Sequence, residues 1–352
     1  MAGDGPLAGF RVVEVGGIGP NPFVGMLLAD MGATVTRVDR ASAVADAQET
    51  RDPTMRSRRL IPVDLKDPDD VARVLALADA ADALIEGFRP GTMERLGLGP
   101  EVLLARNPRL VYGRITGYGQ DGPMAHVAGH DINYLALTGV LDATRCASGE
   151  PAFALNLVAD YGGGAMLLAF GVVCALLETR GSGRGQVVDA AMVDGVSLLA
   201  TLVHGMRASG RWPGPPGTNL LDGGAHFYHT YATADGGHVA VGAIEPHFYA
   251  RLLELLGLPA AEFPQDDRAR WPVFRARLAG VFARRTTAQW AAVLDGEEAC
   301  ATVVRDLMGA RDDPHLVARG TFVEVNGVRQ PAPAPRFSRT PGRARPSQIV
   351  DQ

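Results

Sequence analysis

The chain has little of what disulfide-held, nucleic-acid-binding or membrane-spanning proteins are built from. Only three of its 352 residues are cysteine, Cys146, Cys174 and Cys300, far apart and odd in number. That argues against a disulfide framework and a clustered thiolate zinc site, and fits a reducing compartment. A basic excess is missing as well: 34 Lys and Arg stand against 39 Asp and Glu, a formal charge of -5. Non-specific nucleic-acid binding needs a positive field that this balance does not supply, so no nucleic-acid partner is expected. The best apolar run, AMLLAFGVVCALLE from Ala165, is too short for a bilayer and predicts a buried helix, with no membrane span. The amino end, MAGDGPLAGF, has neither the basic region nor the apolar core of a secretory signal. A cytoplasmic location is the expectation.

What is present is apolar substance in an alternating pattern. Hydrophobic residues make up 47% and charged residues 21%, enough for sizeable cores. At about 150 residues per domain the length suggests two or three domains. In VEVGGIGPNPFVGMLLADMGATVTRVDR, which begins at Val13, residues 11–15 read as a strand, 23–31 as a helix and 34–38 as a second strand. The order recurs: a helix over 67–77, a strand in ADALIEGF ending near Glu86, and another in RLVYGRITGYG. Strands alternating with helices at this spacing predict a mostly parallel sheet covered on both faces. A long apolar helix is expected over 158–179, then a turn, a short strand and a second helix. RWPGPPGTN marks a linker or an exposed crossing. Beyond Gly223 the pattern changes. FYHTYATADGGHVAVGAI reads as a hairpin turning at 234–237, and helices around 248–256, 272–283 and 287–294 complete a smaller α+β unit. PAPAPRFSRTP suits an extended arm better than a core strand.

The glycines after the first strand look like a dinucleotide loop, yet the third glycine position is Pro22. Proline has no N–H to present to a phosphate, so a non-redox turn is favoured over nicotinamide binding. Asp39 fits either a ribose contact or a solvated strand end. Arg37 and Arg40, then Arg56, Arg58 and Arg59, then Arg89 and Arg95 follow successive strands. Their recurrence predicts a shared phosphate-facing rim, because guanidinium groups make planar charge-assisted contacts to phosphate oxygens.

The more specific signals lie later, in AGHDINYLALTG, NLVADYGGG and VGAIEPHFY. With GIGP and EGFRPGTMERLGLGP, their order and spacing resemble the alpha-methylacyl-CoA racemases of the class III (CaiB/BaiF) CoA-transferase family over essentially the whole chain. The resemblance implies a large Rossmann-like α/β CoA-binding domain with an inserted smaller α+β domain, in an interlocked homodimer whose sites are shared between subunits. The corresponding bounds are 1–190 for the first part of the large domain, 191–217 for a linker and 218–300 for the small domain. A return linker over 301–329 and a C-terminal segment over 330–352 complete them. The resemblance further implies His130, Asp160 and Glu245 as catalytic residues, with Glu245 assisting His130 from the neighbouring subunit. It implies CoA contacts at Arg40, Val63, Asp64, Leu65, Lys66, Gly87, Phe88, Arg89 and Arg95, and along Gly129, His130, Asp131, Ile132, Asn133 and Tyr134. The expected substrate is a 2-methyl-branched acyl-CoA of lipid metabolism. CoA is then part of the substrate, and no separate cofactor or metal is expected.

The chemistry suits those residue types. Inverting the carbon beside a thioester needs a proton removed from one face and another delivered to the opposite face. Neutral His130 as base and protonated Asp160 as acid satisfy this, with the roles exchanged for the other enantiomer. A protonated Asp160 requires a sheltered site. Amides around Gly162–Gly164, if they open a helix, are candidates to stabilise the enolate oxygen. Read singly, His130 suits a loop cap or a bond to a buried carbonyl, Asp131 a bond to local backbone or an arginine outside the direct proton path, and Asp160 or Glu245 a helix cap. His226 and His229, three apart in a strand, face opposite ways and are expected to pack rather than bind metal. Met26, Met31, Met166, Met192 and Met206 are candidates for an acyl surface, with core positions the plainer reading. One alternative is CoA transfer through an anhydride on Asp160, the position of the family's transferase nucleophile. Another is a non-catalytic CoA-binding protein.

Overall fold

The computed structural model describes residues 5–49, 51–145 and 149–350; Cys146 lies outside them. Six strands come first: β1 (Arg11–Val15), β2 (Thr34–Asp39), β3 (Arg59–Pro62), β4 (Ala83–Glu86), β5 (Val111–Thr116) and β6 (Val187–Ala191). Next are β7 (Tyr228–Ala232), β8 (His238–Gly242) and β9 (Ala301–Val303), then β10 (Phe322–Val325), β11 (Val328–Pro331) and β12 (Gln348–Ile349). The chain forms two compact units. The larger takes Met1–Thr138, Ala154–Ala200 and Pro314–Gln352, and the smaller takes Gly139–Phe153 and Thr201–Asp313.

In the larger unit seven strands make one parallel sheet, ordered β12-β3-β2-β1-β4-β5-β6. Every residue of β4 and β5 is buried, as expected of parallel strands covered on both faces. Val13, Val15, Leu84 and Tyr112 belong to the core on one face. The strand order reverses between β1 and β4, so the loops leaving their carboxyl ends splay apart and open a crevice. Those loops carry Gly16–Gly19 and Gly87–Arg89. Gly17 and Gly19 take φ of 103° and 71°, a region that only glycine enters without strain.

The apolar helix is longer than its sequence suggests. Leu157–Ala165 winds as a π-helix and continues as the α-helix Met166–Ser182. The 26 residues suffice to cross a membrane by length and composition. That corrects the expectation of a run too short to span. One side of the helix is buried, through Leu168, Val172, Ala175, Leu176 and Thr179, while Met166, Phe170, Val173 and Leu177 form an exposed apolar stripe.

The smaller unit is α+β. β7, β8 and β9 form an antiparallel sheet packed with helices Pro246–Leu255, Trp271–Phe282 and Thr287–Leu294. Phe227, Tyr231, Phe263, Trp271, Phe274, Phe282 and Trp290 fill its core. Two segments expected as linkers carry regular structure. Residues 191–217 hold helices Met192–Leu199 and Thr201–Ala208, and residues 301–329 hold β9, helix Pro314–Ala318 and β10. The β10–β11 hairpin turns on Asn326-Gly327, both at positive φ, a two-residue turn chemistry readable from the sequence. The C-terminal arm crosses as irregular chain until β12 adds an edge strand beside β3.

Candidate active site

Two clefts open at the carboxyl ends of β1 and β4, both within the larger unit. The wider, about 690 Å³, is lined by Gly17, Arg40, Val63, Asp64, Leu65, Lys66, Phe88 and Tyr161 among others. The narrower, about 280 Å³, is lined by Gly87, Phe88, Arg89, Gly129, His130, Tyr134, Asp160 and Met192 among others. Ile18, Gly19 and Phe88 line both, so the clefts adjoin one another. Ile18, 84% exposed, stands at that junction.

Burial splits the arginine rim in two. Arg40 and Lys66 are exposed at the wider cleft and Arg89 at the narrower. Arg37, which also lines the wider cleft, Arg56 and Arg58 are buried and ion-paired. Arg37 pairs with Glu14 and Asp39, Arg58 with Glu14 and Arg56 with Asp30. Glu14 has no solvent exposure, and an added Cβ on Gly25 would stand 2.1 Å from its Oε2. The glycine makes room for the ion pair. Asp39 is engaged with Arg37 and the Arg40 amide, so the strand-end reading fits it better than ribose binding. Arg95, bonded to Thr92 Oγ1 at 3.0 Å, lines neither cleft; nor do Asp131, Ile132 and Asn133.

His130 and Asp160 come together in the narrower cleft. His130 sits at the N-cap of helix Asp131–Leu137, and its N–H donates to Asn133 Oδ1 at 3.0 Å. Gly129 precedes it because the Tyr118 and Tyr134 rings leave no room: an added Cβ would lie 2.7 Å from Tyr118 Oη. Burial pushes the Tyr134 hydroxyl up to about 12, and it donates to the Gly129 carbonyl at 2.5 Å. Asp160 lies in the first turns of the π-helix. Burial raises its carboxyl above the ordinary range and the Asp131 charge adds to this, while Asn156 Nδ2, donating at 3.2 Å, and His130 pull it down. The net shift is upward, with burial as its largest cause.

The glycine run after Asp160 has a different task from the one expected. The helix starts at Leu157, so the amides of Gly162–Gly164 lie inside it, where N–H groups bond to preceding carbonyls. They do not form an oxyanion site. Their small size lets helix Met192–Leu199 approach: a Cβ on Gly163 would stand 2.8 Å from the Val196 amide nitrogen, and one on Gly195 1.8 Å from the Gly163 carbonyl oxygen. The sequence reading also left out Tyr161, which lines the wider cleft and stacks on Phe23 at 4.5 Å. Met192 lines the narrower cleft, whereas Met26, Met31 and Met206 are buried in cores.

Glu245 belongs to the smaller unit, at the N-cap position before Pro246, where its exposed side chain makes no capping bond. In the same unit His226 is fully buried, its Nε2 2.6 Å from Tyr249 Oη, and His229 Nδ1 lies 2.9 Å from the Gly223 carbonyl. Among the described residues no group of three His, Cys, Asp or Glu is arranged to hold a metal ion.

An open parallel sheet with a histidine and a raised carboxyl sharing one cleft at its switch point defines an α/β enzyme suited to proton exchange. The model of CoA-transferase family III matches residues 7–348, and the chain belongs to that family. Alpha-methylacyl-CoA racemase of Mus musculus is 46% identical over 337 residues, covering 95% of this chain and 87% of that protein. The Homo sapiens protein of the same name is 44% identical over 338 residues, with the same two coverages. Succinyl-CoA:glutarate CoA-transferase of Mus musculus is 28% identical over 378 residues, covering 99% and 84%. The crystal structure of a CaiB/BaiF family protein from Brucella suis aligns with a TM-score of 0.81 at 27% identity, over 98% of this chain and 97% of that one.

Proposed function

We propose that the protein interconverts the (R) and (S) forms of 2-methylacyl-CoA thioesters through an enolate. The observation that carries this reading is the shared narrow cleft of His130 and Asp160, adjoining a wider one that has the cationic rim a CoA moiety needs. CoA phosphates would meet Arg40 and Lys66, and the thioester would pass Phe88 into the narrower cleft. His130 takes the α-proton of one enantiomer while protonated Asp160 delivers a proton to the opposite face. The roles reverse for the other enantiomer.

The raised Asp160 carboxyl supports epimerisation over acyl transfer. An anhydride route needs a carboxylate ready to attack, whereas proton delivery needs the acid form that burial favours. The greater identity to racemases than to the glutarate transferase points the same way. Glu245 would support the His130 imidazolium from a second copy of the chain in an interlocked homodimer. The exposed stripe Met166, Phe170, Val173 and Leu177 supports a partner of that kind, because spacings of four, three and four residues put it on one side of the helix.

The test is incubation of one pure 2-methylacyl-CoA enantiomer with the protein in deuterated water. Deuterium should enter at C2 as the sample approaches an even mixture. Retained configuration with CoA moving to a free carboxylate would establish transfer instead, and CoA affinity with neither reaction would leave a binding protein.

A further inference from the structure

We propose that Asp131 is a positioning residue for proton exchange, a clamp fixing the Asp160 carboxyl relative to the His130 ring. The proposal rests on the racemase reading for the reaction it serves; the geometry stands by itself. Asp131 follows His130 directly, opens helix Asp131–Leu137 and is only 4% exposed. Its Oδ2 accepts hydrogen bonds from the Ala159 amide at 2.7 Å and the Asp160 amide at 2.9 Å. Those amides belong to the first turn of the helix that begins at Leu157, where N–H groups have no acceptor within the helix. A carboxylate at this point satisfies them and complements the positive end of the helix. The residue beside His130 is thereby tied to the backbone of Asp160 itself, across 29 positions of sequence.

The clamp also carries charge. Asp131 Oδ1 is buried without a hydrogen-bond partner. Around Asp160 stand the Asn156 amide, the His130 ring and the Tyr134 hydroxyl, and Asp131 supplies the negative charge among them. A neighbouring carboxylate opposes a second ionisation. Asp131 therefore favours the protonated Asp160 that proton delivery requires.

Two variants separate these effects. Asp131→Asn keeps an oxygen for both amides and removes the charge; Asp131→Ala removes both. Kinetics of α-proton exchange on a 2-methylacyl-CoA give one readout. The other is the Asp160 carboxyl titration in ligand-free protein, followed by carbon-13 NMR and assigned by its loss in Asp160→Asn. Asp131→Ala should lower kcat about 100-fold with KM within about 3-fold, the scale of a small misplacement of a reacting group. Asp131→Asn should keep kcat within about 10-fold of the unmodified protein and move the Asp160 midpoint down. An Asp131→Ala kcat within about 2-fold of the unmodified protein, or an unmoved Asp160 midpoint in Asp131→Asn, overturns the proposal. If the alanine variant does not fold, the titration of the asparagine variant decides. Absence of α-proton exchange in the unmodified protein would remove the racemase reading while the titration still tests the clamp.

Discussion

The Tyr134 hydroxyl donates to the Gly129 carbonyl at 2.5 Å, closing a loop of backbone around His130. The same ring forbids a side chain at 129, since an added Cβ would approach Tyr134 Cε1 to 2.8 Å. Gly129→Ala must therefore displace either the ring or the backbone that aims the histidine. It should lower the rate of α-proton exchange by about 100-fold. Tyr134→Phe removes one hydrogen bond and keeps the packing, at a cost of about 1 kcal/mol. Exchange rates beside thermal unfolding of both variants check the ranking; equal activities would mean that the loop does not aim His130.

A two-sided mechanism makes the single variants of His130 and Asp160 differ in kind. His130→Ala leaves Asp160 able to remove and return a proton on its own face, and Asp160→Ala does the same for His130. Each should lose inversion by at least about 100-fold. Each should also retain some deuterium exchange with retained configuration, starting from opposite enantiomers. Chiral separation with mass spectrometry reads both quantities. Exchange surviving on the same enantiomer in both variants would contradict the opposed placement. The unmodified pair should give a bell-shaped pH profile, because activity needs one proton shared between two coupled groups.

Arginines that look alike in sequence should part experimentally. Arg58→Ala strands Glu14 without one of its buried partners, which should cost about 3–5 kcal/mol of stability. Arg40→Ala alters an exposed group at the wider cleft. It should leave unfolding within about 0.5 kcal/mol and weaken CoA about 10-fold, with the loss shrinking as salt rises. Urea unfolding and calorimetric titration with CoA separate the two. A stability loss in the Arg40 variant matching that of Arg58 would erase the distinction.

Strand and helix order was legible because short stretches rich in β-branched residues, such as RVVEV and TVTRV, alternate with longer segments of helical spacing. The pairing of His130 with Asp160 was legible through the motifs that hold them. Burial was not: Arg37 and Arg58 have their carboxylate partner at Glu14, in a different strand, and no local pattern announces a contact at such separation. The role of Gly162–Gly164 was misread because a glycine run suits either a helix entrance or a close helix crossing. Only the neighbour, Gly195 against Gly163, decides between them. The bounds 191–217 and 301–329 cross regular structure because Pro-Gly density, as in RWPGPPGTN, marks only the crossing itself, and the Val325-Asn326-Gly327-Val328 hairpin signature was not used.

The exposed stripe of helix Met166–Ser182 should behave as an interface. Phe170 and Leu177 are 68% and 70% exposed, more than an isolated helix face of a monomer comfortably tolerates. In the proposed homodimer, Phe170→Glu with Leu177→Glu should raise the dissociation constant at least about 10-fold, read as a shift toward monomer in sedimentation. Loss of proton exchange should follow if Glu245 serves the partner's site. An unchanged dimer with full activity would send the interface elsewhere.

Glu86 offers a test in pH. Its carboxylate accepts from the Phe88 amide at 2.7 Å and from Arg114 Nε at 3.0 Å, which favour ionisation. Burial outweighs them and holds it up to about 7 against an ordinary 4.5. A carboxyl raised in the fold binds its proton more tightly there than in the unfolded chain. Its contribution to stability is therefore full below pH 4.5 and is lost as pH rises through about 7. Glu86→Gln mimics the protonated form at every pH. The unmodified protein should therefore lose up to about 3 kcal/mol relative to that variant between pH 4.5 and 8. Urea unfolding at several pH values gives the difference directly. A flat difference would mean that Arg114 offsets the burial in full, and that the loop bearing Phe88 rests on an ion pair at all pH values measured.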